Sequence, residues 1–211
     1  MTVENQVKMN IVEQFEEIPT TCISDALEGM NNLSSTIQPL KEEYRVVGRA
    51  FTVKMPVGDN LVVLKAIREA KPGDVLVIDA KGDTYRAIAG DFIVGMAQTL
   101  GIKGIIVDGV IRDVVGIKEL DYPVFCKGTT IAASGKAGQG EINVPISCGG
   151  VTVQPGDIIV GDADGVTVIP QELEEEVLKQ SLEKVDKDIQ RAQKVSGNRE
   201  EIIAYLDRFL S

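Results

Sequence analysis

The apolar positions change spacing along the chain, and each change marks a different kind of element. Near the start, Val7, Ile11, Val12 and Phe15 are spread among polar residues over positions 5–17, a spacing that predicts a short amphipathic helix. Pro19 followed by Thr20 and Thr21 predicts a second helix with Ile23, Ala26 and Leu27 inward and Gly29 at its end. From Val46 the texture becomes strand–helix–strand. Val46 to Met55 reads as a strand, Asp59 as the cap of a helix over Asn60–Ala70, and Val75 to Asp79 as a strand apolar on both faces. Lys81-Gly82-Asp83 is expected to be a turn. A helix follows Gly90-Asp91 as far as about Leu100, then come a buried strand Gly104–Asp108, a short helix Arg112–Leu120 and a strand Pro123–Cys126. Strands that alternate with helices in this way form a parallel β/α unit with right-handed crossovers.

Past residue 128 the apolar runs shorten. Thr129–Ala133, Ile142–Val153, Ile158–Val160 and Val166–Ile169 read as short strands between the turn signals Gly149-Gly150, Pro155-Gly156-Asp157 and Asp162-Ala163-Asp164-Gly165. The last of these looks superficially like a calcium loop. It lacks the further ligands of one and reads as a turn. From Gln171 to about Val195, Leu178, Leu182, Val185, Ile189 and Ala192 make a narrow seam on a polar helix, which suits another helix or a neighbouring subunit. Gly197-Asn198 breaks it before a last helix to Leu210. The expected whole is one α/β domain over 1–211: N-terminal helices within 1–30, a β/β/α core over 46–170 with a β-rich layer on the parallel unit, and C-terminal helices over 171–211.

Composition narrows the chemistry more than the fold. With 32 acidic and 22 basic residues the formal charge is −10, which argues against nucleic acid because phosphate binding needs a basic face. No apolar run approaches the roughly 20 residues that span a bilayer, and the first residues lack a signal-peptide pattern, so the expectation is a cytoplasmic protein. Cys22, Cys126 and Cys148 are far apart and include no CxxC pair, so they read as buried thiols. The chain contains no histidine. That excludes Ser-His and Cys-His nucleophiles and imidazole bases, and leaves carboxylates, Arg, Lys and backbone amides. Such an inventory suits a hard cation, Mg²⁺ or Mn²⁺.

Asp91 follows one parallel strand, and Arg112-Asp113 follow the next after one crossover, which places all three at the carboxyl edge where open α/β sheets bind ligands. The amides of Phe92 and Ile93, in the first turn after Asp91, lack helical acceptors and can hold a carboxylate. Arg112 offers a planar fork for the same group. On spacing alone, the same residues read more readily as a helix-start acid and a solvated ion pair than as a site. Lys54, Lys65, Lys81 and Lys103 read as surface charges, which leaves no Schiff-base lysine, and Tyr85 and Arg86 read as loop.

The segments TTCISDALEGM, VVGRAFTV, GDNLVVLKAI, KPGDVLVID, Gly90-Asp91, GIKGIIVDGVIRDV, YPVFCKG and INVPISCGGVTVQPGDIIVGDADGVTVIP, in that order from Thr20 to Pro170, resemble the proteins related to regulator of ribonuclease activity A. That family includes the class II 4-hydroxy-4-methyl-2-oxoglutarate aldolases, whose signature of an acid, twenty residues and Arg-Asp is matched by Asp91, Arg112 and Asp113. The resemblance implies a swivelling β/β/α fold, a homotrimer or homohexamer with sites between subunits, and metal-dependent cleavage of a small 4-hydroxy-2-oxo acid, with decarboxylation of oxaloacetate through the same pyruvate enolate. It implies that Asp113 is the metal carboxylate and that Asp91 acts on the metal through water. Arg112 with the Phe92 and Ile93 amides would bind the pyruvate portion. Many members carry an acid where this chain has Gly116; Glu119 stands one turn on. Glu200, Glu201 and Asp207 are the candidates for an acid supplied by a neighbouring subunit. The family's namesake branch implies the rival role, a non-catalytic regulator that binds a ribonuclease.

Overall fold

The structure, a computed structural model, describes residues 10–210. Helix α1 (Thr20–Ala26) and a two-residue strand β1 (Gln38–Pro39) lead into the predicted parallel unit. Its elements are β2 (Val46–Lys54), α2 (Leu61–Glu69), β3 (Asp74–Ala87), α3 (Asp91–Thr99), β4 (Gly104–Ile111), α4 (Val114–Leu120) and β5 (Val124–Cys126). The β-rich part follows as β6 (Gly128–Thr129), β7 (Glu141–Ile142), β8 (Ile146–Cys148), β9 (Val151–Val153), β10 (Ile158–Asp162) and β11 (Gly165–Ile169). Two helices, α5 (Glu174–Val195) and α6 (Arg199–Leu210), close the chain. The main sheet runs β1-β5-β4-β3-β2-β10-β11, with β6 on β4 and β7 on β2, while β8 and β9 form a separate hairpin. Strands β2 to β5 are mutually parallel, and β10 joins β2 antiparallel.

The period-2 side-chain alternation of the central strands explains the layering. Leu76, Ile78, Ile105 and Val107 face α2, α3 and α4, where they pack with Val63, Ala66, Val94 and Ile117. Their neighbours Val75, Val77 and Ile106 face the opposite way, onto Ile146, Cys148, Val153 and Val168 of the β layer. Each such side chain contributes roughly 1.5–3 kcal/mol when fully buried, so both faces hold the sheet. A third cluster fixes the ends of the chain: Cys22 and Ile23 of α1 and Val177 and Leu178 of α5 pack on Val47, Ile158 and Ile169. The swivelling β/β/α arrangement expected from the sequence is the one observed.

Four local readings change. Over the described part of 5–17, a single 3-10 turn at Glu13–Phe15 replaces the expected helix, and residues 5–9 lie outside the described residues. The carbonyls of Phe15, Glu16 and Ile18 instead accept hydrogen bonds from the Arg45 guanidinium. Lys81-Gly82-Asp83 does not end its strand. Lys81 and Gly82 take left-handed φ of 58° and 68°, and pairing with β4 resumes at Asp83 and Ala87. This is a bulge that carries β3 on towards Gly90. The expected strand over Ile142–Val153 is three short ones, broken at Asn143 and at Gly149-Gly150, and the strand expected over Thr129–Ala133 shrinks to Gly128–Thr129. Asp162-Ala163-Asp164-Gly165 is a turn as expected, and the Asp162 carboxylate accepts from the Thr20 amide (2.9 Å), the Thr20 hydroxyl (2.6 Å) and the Asp164 amide (3.0 Å).

The α5 seam meets α1 through Leu178, while Leu182 and Ile189 stay 47% and 50% exposed. On α6, Ile202, Ile203, Leu206 and Phe209 are exposed as well. Among the described residues no helix is long and apolar enough to cross a membrane.

Candidate active site

Helices α3 and α4 both begin at the carboxyl edge of the sheet, and a cleft of about 360 Å³ opens between their first turns. Asp91, Phe92, Ile93, Arg112 and Asp113 all line it, joined by Asn60, Ser134 and Lys136. The spacing argument therefore holds in three dimensions: one crossover returns the chain to the same edge.

Two glycines decide where the carboxylates go. Gly90, the residue before α3, lies against Asp113; a side chain there would collide with Asp113 Oδ2 and come within 3.2 Å of its Cγ. Gly116, in the first turn of α4, lies against Asp91, where an added Cβ would sit 2.6 Å from Oδ2 and 2.9 Å from the Asp91 Cβ. Each helix start thus supplies an acid to the other helix's glycine. Asp113 precedes α4 with φ 57° and ψ 42°, a left-handed conformation that aspartate tolerates better than most residues. Its side chain makes no capping bond to its own helix, unlike an ordinary Asp cap. The carboxylate reaches Arg112 instead, with Nε 3.3 Å from Asp113 Oδ2 and both side chains 44% exposed. The Arg112 amide donates to Ala89 O at 3.0 Å, which locks the turn.

The absent family acid has a physical explanation here. The space beside Gly116 belongs to Asp91, so this packing has no room for an acid at 116. Glu119 is exposed and does not line the cleft, so it is no substitute. Glu200, Glu201 and Asp207 lie on α6, away from this cleft in their own chain.

One expectation needs correction. The Phe92 amide is not free for a ligand, because it donates to Asp91 Oδ1 at 2.6 Å. The Ile93 amide keeps no helical acceptor, since the first bond of α3 runs from Val94 N to Gly90 O. Among the described residues, Arg112 pairs with nothing but Asp113, through Nε, so both terminal nitrogens are available.

Sequence reasoning missed Lys136 and Asn60. Lys136 is exposed on a glycine-rich loop, lines the cleft and has no ion-pair partner among the described residues. Its signal was present as a lone lysine in Ser134-Gly135-Lys136-Ala137-Gly138, a segment too small and flexible to be there for packing. Asn60 is buried, with Nδ2 donating to Ile88 O at 2.8 Å and Oδ1 without a partner among the described residues. The other lysines are engaged or remote: Lys54 pairs with Glu141, Lys81 with the buried Asp79 and Lys103 with Glu16, while Lys65 is exposed on α2. Tyr85 is 71% exposed and does not line the cleft; Arg86 donates to Ala133 O at 3.3 Å.

A family model described as Aldolase/RraA matches residues 20–168. The chain belongs to the RraA-like family. A relative from Halalkalibacterium halodurans is 60% identical over 206 residues, 98% of both chains, and bears the name "Putative 4-hydroxy-4-methyl-2-oxoglutarate aldolase". A solved structure of an uncharacterised Pseudomonas syringae protein superposes with TM-score 0.82 at 26% identity, over 98% of this chain and 99% of that one. A Streptomyces coelicolor structure, described as an unusual member of the RNase ES inhibitor RraA family, gives TM-score 0.75 at 31% identity, over 87% of this chain and 97% of its own. RraA-like relatives thus include one named for an aldolase and one named for ribonuclease inhibition, and the cleft bears on which description suits this chain.

Among the described residues no three His, Cys, Asp or Glu side chains converge. Within one RraA-like chain the cleft offers two carboxylates, Asp91 and Asp113. That set fits Mg²⁺ or Mn²⁺, which are content with one or two carboxylates and several waters. It does not fit zinc, which takes three or four protein ligands, usually nitrogen or sulfur.

Proposed function

We propose that this protein is a metal-dependent lyase that cleaves a 4-hydroxy-2-oxo acid of the 4-hydroxy-4-methyl-2-oxoglutarate type and decarboxylates oxaloacetate. The observation that carries this reading is the crossed pair of acids on glycines around an arginine whose fork is open. A protein that acted only by surface contact has no physical need for two carboxylates seated on each other's helix starts, beside a guanidinium whose terminal nitrogens remain available. The name borne by the relative at 60% identity supports the same reading.

Arg112 would take the substrate's C1 carboxylate or 2-oxo oxygen through its terminal nitrogens, a geometry that suits planar anions. The Ile93 amide and the positive end of α3 would share that charge, and Lys136 would approach from the facing loop. Asp113 and Asp91 would hold the divalent cation, which supplies Lewis-acid polarisation of the 2-oxo group. In the retro-aldol direction the C4 hydroxyl loses its proton and C4 becomes a carbonyl. The electrons of the C3–C4 bond pass into C2–O, giving pyruvate enolate, which is then protonated at C3. Asp91 is the carboxylate on that wall able to receive the hydroxyl proton through a water. Oxaloacetate needs no such base, because loss of CO₂ leaves the same enolate. The exposed apolar residues of α5 and α6 support assembly into a homotrimer or homohexamer.

Pyruvate release from both substrates, followed with Mg²⁺ or Mn²⁺ and again in chelator, tests the reading. Arg112→Ala is expected to lower turnover by roughly 10²–10³, the scale of removing one aimed donor. Turnover that persists in chelator or survives Arg112→Ala would overturn the mechanism. No turnover of either acid, alongside tight ribonuclease binding, would overturn the function.

A further inference from the structure

Lys136 sits where nothing in its own sequence would keep it. Gly135, Gly138 and Gly140 surround it, and such a segment has more conformational freedom to lose than any other. The structure ties it down on both sides of the lysine. Upstream, the Ser134 hydroxyl donates to Ala87 O at 2.7 Å, the Gly135 amide to Gly58 O at 2.7 Å, and Gly135 O accepts from the Asn60 amide at 3.1 Å. Downstream, the Ala137 and Gly138 amides both donate to the carboxylate of Asp59, the second at 3.3 Å. The same carboxylate accepts from the Leu61 amide at 3.1 Å. Asp59 is 6% exposed, with no cation paired to it among the described residues. A buried carboxylate that accepts three amides is far more than the helix cap its sequence position suggests.

We propose that Asp59 is a positioning residue that acts through Lys136, clamping the loop so that the ammonium stays at the cleft. The proposal rests on the reading of the cleft given above, in which Lys136 meets the anionic end of the substrate. Asp59 touches no reacting atom. Its work is to hold a flexible segment in one conformation, so that the order lost on binding is spent at folding instead. Burial raises the Asp59 carboxyl's pKa, and the amides of Ala137, Leu61 and Gly138 more than offset this, holding it below the ordinary carboxylate range. The clamp is therefore charged at neutral pH.

A double-mutant cycle reads the coupling. Asp59→Asn is expected to raise KM about tenfold with kcat within threefold, and Lys136→Ala to do the same. In the Lys136→Ala background, Asp59→Asn should then change KM less than twofold, because the residue through which it acts is gone. A further tenfold rise in that background would overturn the proposal, since Asp59 would be acting by some other route. Trypsin gives a readout that needs no activity: the Lys136–Ala137 bond should be cut at least fivefold faster in Asp59→Asn than in the native protein, at unchanged global melting temperature. Equal cutting would overturn the clamp. If the variant fails to fold, hydrogen exchange on the unaltered protein decides, because the Ala137 and Gly138 amides should be protected although both residues are exposed. Exchange as fast as in a free loop refutes the clamp. If the native protein turns over no 2-oxo acid, the proposed function fails, and the trypsin and exchange results still decide whether Asp59 holds Lys136.

Discussion

Strands β3 and β4 carry two constellations of aspartate and a cation, one on each face of the sheet, and they differ in what is left over. On the helical side, Asp91, Asp113 and Arg112 are partly in water, with carboxylate oxygens and guanidinium nitrogens unspent. On the β side, the buried Asp79 and Asp108 each meet a lysine: Lys81, itself 45% exposed, pairs with Asp79, and Lys127 Nζ lies 2.5 Å from Asp108 Oδ1. Asp108 Oδ2 accepts from the Gly149 amide at 3.1 Å, pinning the β8–β9 turn. Its acids are spent on neighbours. Two acids and a base near a strand end are therefore not a site in themselves. Unspent bonding capacity facing a cleft makes the difference, and capacity committed to ion pairs and a turn amide marks a staple.

Replacing the corresponding acid on each face should have opposite consequences. Asp113→Asn should lower pyruvate release by at least 10², the scale on which aimed charge stabilises a transition state. Stability should move by less than about 1 kcal/mol, since the ion pair it loses is half exposed. Asp108→Asn should do the reverse. It strands a largely buried lysine, for which roughly 3 kcal/mol is the low end of the usual cost, because Lys127 keeps 22% of its side-chain exposure. The melting temperature should fall by roughly 6–12 °C, with activity per folded molecule within threefold. Calorimetry beside the pyruvate assay separates the two. Loss of stability in both variants would erase the distinction.

How much of this was legible beforehand follows from which interactions are local. The parallel unit was readable because apolar runs such as Val75–Ile78 and Gly104–Val107 record burial on both faces directly in the sequence. The Asp91-Arg112-Asp113 edge was readable because one crossover has a nearly fixed length. The β3 bulge was not, since Lys81-Gly82 carries the same left-handed backbone as a turn, and only pairing with β4 shows that the strand resumes. Lys136 was hidden because its place depends on Asp59, 77 residues away in the chain, and loop position leaves no periodicity. Gly116 looked like a gap in a motif. The packing shows it as the seat of Asp91, a contact between two helix starts that sequence spacing cannot express.

The fit between Gly116 and Asp91 is tight enough to test directly. Gly116→Ala puts a Cβ 2.6 Å from Asp91 Oδ2, well inside contact distance, so the carboxylate must shift. Gly116 lies in a helix, where alanine is otherwise favoured by about 1 kcal/mol. The expectation is thus a fall in turnover of about tenfold or more, on the scale of a 1 Å misplacement, with stability unchanged or raised. Full activity in this variant would show that Asp91 does not need its observed position.

The smallest effect concerns the sealed face. Cys148 is buried beside Asp108 and Asp79, and burial, with both negative charges adding to it, pushes its thiol far above the ordinary range. The thiolate is the reactive form, so an alkylating reagent at pH 8 should leave Cys148 untouched while the protein is folded, as mass spectrometry of its peptide would show. Lys127→Met would remove the one nearby charge that favours the thiolate. If the face is as closed as the burial of Cys148, Asp79 and Asp108 implies, that variant should label no faster at equal folded fraction. Rapid labelling of Cys148 in the native protein would mean that water reaches Asp108 and Asp79. The β face would then be open too, and unspent bonding capacity would no longer be what sets the two faces apart.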